Sequence, residues 1–429
     1  MPTTEIPGEF DEHPTALASR IASKFCLASP VEALDFPEKG NINRHTYLIL
    51  GGAGRAAEEF LLQQINQAVF REPEKVMAAM LACIEAQRRS LALRPVEFAD
   101  QWATIELIST RAGAPYLRCD SLRGPTYWRL MKKISGCRTF KSLGEIPDRE
   151  ARLATAREAG RGLALFGDLT AEMDISALEN PLPGYRDTRL YYQQLHSVLA
   201  GNRTAESAGD RLPRGAALRK STEWHFLQHL PEGEFERRRN LPGVDEALLL
   251  VLENEGFAAT LLEAMDAGRI RRVAIHGDTK LDNFLFGEDS GRVTALIDLD
   301  TIMPHTWLAD WGDMVRSLAN VAGEKEPDPT RVRVDVAVFD AVARGFLQTA
   351  ETILPGEVAL MVDAVRIITL ELGVRFLTDY LRGDTYFRLS RNDPPDLNRI
   401  RAIGQLTLFR RLSEQETSLR QVVERWCRC

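Results

Sequence analysis

Polar residues lie at a spacing suited to proton transfer within the segment Val273–Phe286. His276, Asp278 and Asn283 fit the pattern H-x-D-x-x-x-x-N, and apolar residues flank this polar loop on both sides. A carboxylate held in such a loop can accept the proton of a hydroxyl, which an amide in its place cannot do. Lys280, two residues beyond the aspartate, adds an ammonium group that can face an anion. Asp278 and Lys280 are therefore the candidate catalytic residues.

A second acidic position follows this loop. Asp298 comes directly after the mostly apolar run 294–297, 20 residues beyond Asp278. Because an unpaired buried carboxylate is costly, we expect Asp298 either to be exposed at the strand end or to coordinate a cation. Asn283 and Asp298 together offer the hard oxygen ligands that Mg²⁺ prefers. Phosphoryl transfer, in which the protein mainly positions groups and neutralises charge, is the chemistry that this combination suits.

Three further residues are expected to hold the loop in shape. His276 is interpreted as structural, with its ring bonded to backbone. Asp310 and Asp313 are expected to anchor the loop by accepting backbone hydrogen bonds, with metal coordination as the alternative.

The elements around these residues predict two lobes of different structure. Candidate strands at 46–50 and 58–65 flank a glycine-rich turn, whereas helical periodicity dominates from about Pro147 onward, interrupted by short strands within 272–297. We therefore predict an α+β fold, bilobal, with a small β-rich N-terminal lobe and a larger, mostly helical C-terminal lobe. The cleft between such lobes is the expected ligand site.

The predicted domain limits follow from these patterns. They are a flexible tail over 1–15, an N-terminal lobe over 16–135 and a C-terminal lobe over 136–429. The stretch 201–221, rich in Gly, Arg, Ala and Ser, is predicted to be a flexible insertion without a core-forming pattern.

Composition excludes several classes of protein. The 429 residues carry a formal charge of −7, which disfavours a nucleic-acid binder. No window of about 18 apolar residues and no apolar leader segment occurs, so neither a membrane span nor a signal peptide is expected. Six scattered cysteines suit a reducing cytoplasm. Cys427 and Cys429 are interpreted as an exposed unpaired tail, with a redox or metal pair as the alternative.

Several further segments carry a family resemblance. They are Gly40–Asn43 with Thr46 and Tyr47, Leu62–Asn66 with Val69 and Phe70, Trp128 with Arg129, Ile297–Pro304, Gly373–Leu381 and Gly383–Phe387. With the loop at 276–283, these segments make the chain resemble the aminoglycoside phosphotransferase and choline kinase superfamily. Within that superfamily it is most similar to the N-acetylhexosamine 1-kinases.

The resemblance implies a protein-kinase-like fold with ATP and Mg²⁺ as cofactors, and transfer of the γ-phosphate to the anomeric hydroxyl of an N-acetylated hexose. Asp278 would be the base, with Asn283 and Asp298 as metal ligands. The N-terminal lobe would bind the nucleotide through a glycine-containing loop, although that loop can also be an ordinary turn. The residues implied in nucleotide binding are Gly40, Asn41, Asn43, Thr46 and Lys132.

The acceptor is expected to be a small-molecule sugar. The positions that the resemblance assigns to it are Thr301, Arg375 and Tyr386, and Asp300 is expected to reach either the metal or the sugar hydroxyls. An aminoglycoside, a choline-like amine or another sugar is the alternative acceptor, and a catalytically dead nucleotide-binding module is the alternative function. The sequence leaves the oligomeric state, the nucleotide preference and the anomeric preference open.

Overall fold

A computed structural model describes residues 4–5, 13–37, 42–43, 45–54, 57–95, 101–121 and 124–427. The chain forms two compact units, Met1–Cys137 with Leu299–Ile302, and Arg138–Asp298 with Met303–Cys429. Strands dominate the first unit and helices dominate the second, which confirms the predicted α+β class. The predicted domain limits at 15 and 135 stay predictions. The inclusion of Leu299–Ile302 in the N-terminal unit was not expected from the sequence.

The first unit is built on a six-stranded sheet in the order β1-β5-β6-β4-β3-β2. Its strands are β1 (Thr4–Glu5), β2 (Val31–Asp35), β3 (Thr46–Gly51), β4 (Glu58–Gln64), β5 (Leu117–Ser121) and β6 (Gly124–Lys132). The pairing of β1 with β5 is parallel, and the other pairings are antiparallel. The strands at 46–50 and 58–65 were therefore predicted to within one residue at their C-terminal ends.

Two helices accompany this sheet, α1 (Pro14–Ala22) and α2 (Pro73–Ala92). Each begins with proline, whose fixed φ and missing N–H suit the first helical position. Ile21 of α1 packs with Ile49 and Leu62 of the sheet in one buried apolar cluster. A short 3-10 helix, Leu299–Thr301, belongs to the same unit.

The second unit is mostly helical. Its helices are α3 (Arg149–Thr170), α4 (Thr188–Leu199), α5 (Ala205–Ala208), α6 (Ala216–Thr222), α7 (Glu232–Arg239), α8 (Val244–Glu253), α9 (Glu255–Ala258), α10 (Thr260–Asp266), α11 (Trp307–Ala319), α12 (Val336–Leu347), α13 (Pro355–Val358), α14 (Met361–Arg382), α15 (Leu397–Glu414) and α16 (Glu416–Trp426). Short 3-10 helices occur at Leu143–Glu145, Gly209–Arg211, Glu223–Phe226, Leu281–Asn283 and Pro329–Arg331. None of the helices in the described ranges combines the length and the apolar character that a membrane crossing requires.

Short strands interrupt these helices. They are β7 (Cys137–Arg138), at the passage from the first unit to the second, β8 (Val273–Ile275), β9 (Phe284–Gly287), β10 (Val293–Leu296) and β11 (Met303–His305). β9 and β10 form an antiparallel hairpin, and β8 pairs antiparallel with β11. These short pairings hold both ends of the polar loop at 276–283.

The helical core is centred on α14. Val374 and Leu377 of this helix pack with Leu195 of α4 and Leu406 of α15 in one buried cluster. Elsewhere α3 and α12 approach so closely that a Cβ at Gly160 or Gly345 would collide with a backbone carbonyl of the facing helix. Glycine at these two positions therefore sets the distance between α3 and α12.

The stretch 201–221 is ordered, which corrects the prediction of a flexible insertion without a core. Ala208 and Leu212 are buried with Leu190 and Phe226 in a small apolar cluster. The apolar residues of the stretch are too sparse to show periodicity. Half of the cluster comes from segments outside the stretch, so the sequence of the stretch alone does not reveal it.

Candidate functional site

The polar loop after β8 is held by a buried carboxylate. Asp310 of α11 accepts hydrogen bonds from the backbone N–H groups of His276 at 2.7 Å and Gly277 at 2.8 Å. The Thr279 hydroxyl donates to the Asp310 carbonyl at 2.7 Å. Burial raises the pKa of Asp310 to about 7, although the two N–H donors oppose this rise. The prediction that Asp310 anchors the loop is confirmed.

His276 links the loop to the strand that precedes Asp298. Its Nε2 lies 2.8 Å from the Ile297 carbonyl oxygen, and its Nδ1 lies 3.3 Å from the backbone N–H of Asp278. These partners assign the ring proton to Nε2, since Nδ1 then accepts. The ring is fully buried, in a T-shaped contact with the ring of Phe166. The structural role predicted for His276 is confirmed.

The candidate catalytic residues meet directly in this loop. Lys280 Nζ lies 3.0 Å from Asp278 Oδ2 and 4.0 Å from Asp282 Oδ1. Burial alone would lower the pKa of Lys280, but the carboxylates of Asp278 and Asp282 raise it above its usual value, so the ammonium stays charged. Asp278 keeps 23% of its side chain exposed, which leaves it open to a substrate.

Asn283 and Asp298 lie close to the same pair. Asn283 Nδ2 donates to the Asp278 carbonyl at 2.7 Å and to Asp278 Oδ2 at 3.3 Å. The backbone N–H of Ile297 donates to the Asn283 carbonyl at 2.9 Å, so Asp298 follows directly. Asp298 is partly exposed, and its charge also contributes to the raised pKa of Lys280. The structure therefore brings together all four residues that the sequence proposed for catalysis and metal binding.

The donor set fits a magnesium ion. Asn283 uses its amide nitrogen for Asp278, and its Oδ1 makes no hydrogen bond to a described residue. Over the described ranges no group of three or more His, Cys, Asp or Glu side chains could hold a metal. A site with Asn283 and Asp298 has two protein ligands, which suits Mg²⁺ because this ion usually keeps water and phosphate oxygens in its remaining positions.

Two residues that the sequence analysis missed support the loop from the other side. Tyr185 donates its hydroxyl to the Gly277 carbonyl at 2.9 Å, and Arg186 Nη2 donates to the same oxygen at 3.3 Å. Gly277 has φ +83°, a left-handed conformation that glycine adopts without strain. In the sequence, these two residues are marked only by their place in a turn-forming segment. That segment ends at Asp187, the N-cap residue of α4.

Asp313 does not anchor the loop backbone, which corrects that prediction. Its carboxylate pairs with Arg186 at 3.1 Å and with Arg316 at 2.6 Å. Arg186 also pairs with Glu371 of α14 at 3.2 Å. Asp313 acts on the loop through Arg186, because it sits one helical turn beyond Asp310 and meets a different neighbour.

Arg375 and Tyr386, predicted to bind the sugar, contact each other. Arg375 Nη2 lies 3.3 Å from the Tyr386 hydroxyl. The guanidinium carbon lies between 4.9 and 5.5 Å from the ring centres of four aromatic residues, which are Tyr185, Tyr191, Tyr386 and Phe387. Because Tyr185 also bonds to Gly277, this aromatic cluster is connected to the loop that carries Asp278.

In the first unit, Asp300 is fully engaged with protein groups. Its Oδ2 accepts from Asn43 Nδ2 at 2.6 Å, and its Oδ1 pairs with Arg129, a residue only 1% exposed. Arg129 Nε also donates to Gln63 Oε1 at 3.0 Å. Asp300 therefore has a structural partner at each oxygen, and Arg129 is a third residue whose role was not predicted from the sequence.

Of the other predicted residues of this unit, Thr46 adjoins Asn43, whereas Lys132 lies apart. Thr46 donates its hydroxyl to the Asn43 carbonyl at 2.8 Å, and Thr301 is buried. Lys132 lies on the exposed face of β6, with Nζ 2.7 Å from Glu58 Oε1. Gly40 and Asn41 lie outside the described residues. Nucleotide and sugar binding by these positions stays a prediction.

Comparison with known proteins identifies a family and a related fold. The sequence profile of the APH family, a phosphotransferase enzyme family, matches residues 35–344. The fold resembles that of a microcompartment-associated aminopropanol kinase, with a TM-score of 0.56 and 12% identity over 94% of this chain and 98% of that one. An ethanolamine kinase of Plasmodium vivax gives a TM-score of 0.44 at 9% identity, over 93% of this chain and 91% of that one. An aminoglycoside phosphotransferase, solved with ADP bound, gives a TM-score of 0.42 at 11% identity, over 92% of this chain and 97% of that one.

Proposed function

Because the chain belongs to the APH phosphotransferase enzyme family, we propose that it is an ATP-dependent small-molecule kinase whose acceptor is the anomeric hydroxyl of an N-acetylhexosamine. The observation that carries this proposal is the placement of Arg375. Its guanidinium fills the aromatic cluster that leads, through Tyr185, to the loop of Asp278.

The residues of the loop divide the chemistry between them. Asp278 accepts the proton of the acceptor hydroxyl and directs that oxygen towards the γ-phosphorus. Lys280, kept charged by its carboxylate neighbours, faces the transferred phosphate. Asn283 and Asp298 would hold Mg²⁺, which when bound neutralises charge on the phosphate oxygens. Asp310 and Tyr185 fix the backbone on both sides of Gly277, so that Asp278 needs little reorientation.

The charge at Arg375 favours a neutral acceptor over an amine. Aromatic faces can bind a cationic ligand, but here a guanidinium already occupies that position next to four rings. A second cation would meet the charge of Arg375 and also displace it from those rings. A sugar instead offers hydroxyl and amide oxygens, which can accept hydrogen bonds from the guanidinium while a ring face stacks on Tyr386.

A panel of acceptors tests the proposal. ADP release is measured with N-acetylglucosamine, N-acetylgalactosamine, glucose, galactose, choline, ethanolamine, 1-aminopropan-2-ol and kanamycin, each with the wild type and with Asp278→Asn as the background. We expect turnover with the N-acetylhexosamines, and a ³¹P spectrum that places the phosphate on the anomeric carbon.

Two results would count against the proposal in different ways. Turnover of an amine without turnover of any N-acetylhexosamine would refute the proposed acceptor but still support a small-molecule kinase. ATP binding without turnover of any acceptor would favour the non-catalytic module, the alternative that the presence of Asp278, Asn283 and Asp298 makes less favourable.

A further inference from the structure

A surface groove outside the proposed catalytic region runs between three helices of the second unit. It has a volume of about 580 Å³, and its walls come from α3, α12 and α16. Its floor is apolar, with Leu153, Val336 and Val422 among the lining residues. The volume and the apolar lining are typical of small-molecule sites, which measure about 300–1,000 Å³. Because glycines set the close approach of α3 and α12, two of its walls are fixed against each other.

Two arginines of this groove lack a carboxylate partner. Arg157 Nη2 and Arg344 Nε each lie 3.4 Å from the same atom, Oε1 of Gln348. Neither guanidinium forms an ion pair with a described residue, although surface arginines elsewhere in this unit commonly do. Two positive charges therefore converge on one neutral amide oxygen, at distances too long for strong hydrogen bonds.

The remaining charges of the groove are already paired. Asp340, its one acidic lining residue, accepts from Arg425 at 3.0 Å and from the Trp426 indole N–H at 3.1 Å. Arg344 lies over the Trp426 ring, 4.9 Å from its centre. The groove thus combines an excess of positive charge with an apolar floor, and the Trp426 ring packs against one of its arginines.

We propose that this groove binds a small organic carboxylate with an apolar body. The carboxylate takes the place of Gln348 Oε1 between Arg157 and Arg344, where each guanidinium can donate a charge-assisted hydrogen bond. The apolar body covers the floor of the groove beside Trp426. This site is separate from the proposed acceptor site, and it does not depend on which acceptor the protein phosphorylates.

The probe for this site is 4-phenylbutanoate, with its neutral amide and acetate as the two partial ligands. Calorimetric titration of the wild type should show one site for 4-phenylbutanoate, with at least tenfold weaker binding of 4-phenylbutanamide and of acetate. The indole N–H resonance of Trp426, identified by its loss in Trp426→Phe, should shift during the titration.

Variants locate the binding. Arg157→Gln and Arg344→Gln should each weaken binding of 4-phenylbutanoate about tenfold, because each removes one charged donor to the carboxylate. Arg410→Gln, a matched change at an exposed arginine of α15, should leave it unchanged. Thermal unfolding of each variant without ligand checks that the fold is retained. Equal binding by the Arg157→Gln/Arg344→Gln double variant, equal binding of the amide, or no binding by 10 mM would each overturn the proposal.

Discussion

Asp298 and Asp300 are separated by a single residue and yet have opposite environments. Asp298 is partly exposed, follows β10 and lies close enough to Lys280 to influence its pKa. Asp300 is only 3% exposed, and both of its oxygens have protein partners, Asn43 and Arg129. A ligand role was predicted for both residues from the sequence. The difference separates a carboxylate with an open side, which the proposed metal site requires, from a buried carboxylate that pairs with Arg129.

The backbone around Asp298 sharpens this comparison. Asp298 has φ +64°, a left-handed conformation that aspartate and asparagine tolerate better than most other residues. Asp298→Asn therefore keeps the backbone and the size of the side chain while removing the charge. We expect kcat to fall about 10³-fold, since the proposed Mg²⁺ site loses its charged ligand, with an unchanged free energy of unfolding. Steady-state kinetics and urea unfolding test this, and full retention of kcat would remove Asp298 from the site.

Asp300→Ala should instead lower the free energy of unfolding. It leaves the Arg129 guanidinium buried without a counter-charge, which typically costs about 3–5 kcal/mol of unfolding free energy. The double variant Arg129→Met/Asp300→Leu removes both charges and should recover most of that loss. Urea unfolding curves of the three proteins provide the measurement. A loss below 1 kcal/mol in Asp300→Ala would contradict the structural role of this pair.

The sequence predicted one of these two environments and not the other, for a physical reason. The residues of the loop at 276–283 lie within a few positions of one another, so their spacing was sufficient to predict that Asp278, Lys280 and Asn283 would meet. The partner of Asp300 is 171 residues away on β6, where Arg129 sits between buried neighbours and gives no periodic signal. Long-range ion pairs of this kind depend on the complete fold.

The same limit explains the outcomes for Asp310, Asp313 and Tyr185. Asp310 and Asp313 are one turn apart on α11, and only the fold determines that the first meets the loop and the second meets Arg186. Tyr185 lies 92 residues before Gly277, in an irregular segment without a motif. By contrast, the α+β class and the strand pair at 46–50 and 58–65 follow from local apolar patterns, and the structure confirms both.

His305 extends the comparison to a buried ring that lacks a strong hydrogen-bond partner. It is 7% exposed, and neither ring nitrogen makes a well-formed hydrogen bond to a described residue, although the backbone of Arg186 and Thr306 partly favours its charged form. Burial, followed by the charges of Arg186 and Arg272, lowers its pKa to about 4. A histidine whose pKa is lowered on folding stabilises the protein above its unfolded pKa of about 6.5, and this contribution is lost as the pH falls through 4.

His305→Leu should therefore change the pH dependence of stability. Between pH 7 and pH 4, the wild type should lose up to about 3 kcal/mol relative to His305→Leu, which cannot take up a proton at this position. Urea unfolding of both proteins at pH 7, 5.5 and 4 measures the difference. If it stays constant over this range, the His305 ring has no lowered pKa in the folded state.

Tyr185 breaks the simple division between exposed groups for chemistry and buried groups for structure. Its hydroxyl bonds to Gly277 next to the proposed base, while its ring contacts Arg375. Tyr185→Phe removes only the hydroxyl, so Gly277 keeps the longer bond from Arg186 and the ring still supports Arg375. We expect kcat to fall about tenfold with less than a twofold change in the KM of the acceptor, because Asp278 is less well oriented while acceptor contacts remain.

Tyr192→Phe is the matched control. Tyr192, only 2% exposed, donates its hydroxyl to the Val251 carbonyl at 3.0 Å, away from the loop. Both variants lose one phenol-to-carbonyl hydrogen bond, typically worth about 1 kcal/mol of stability, so their unfolding free energies should fall similarly. Only Tyr185→Phe should lower kcat.

Burial raises the pKa of Tyr185 to about 12, so its hydroxyl stays a donor and the ratio of the two kcat values should be constant from pH 6 to 9. Equal kcat values in the two variants would show that the Gly277 carbonyl needs no second donor, and that Tyr185 serves Arg375 alone.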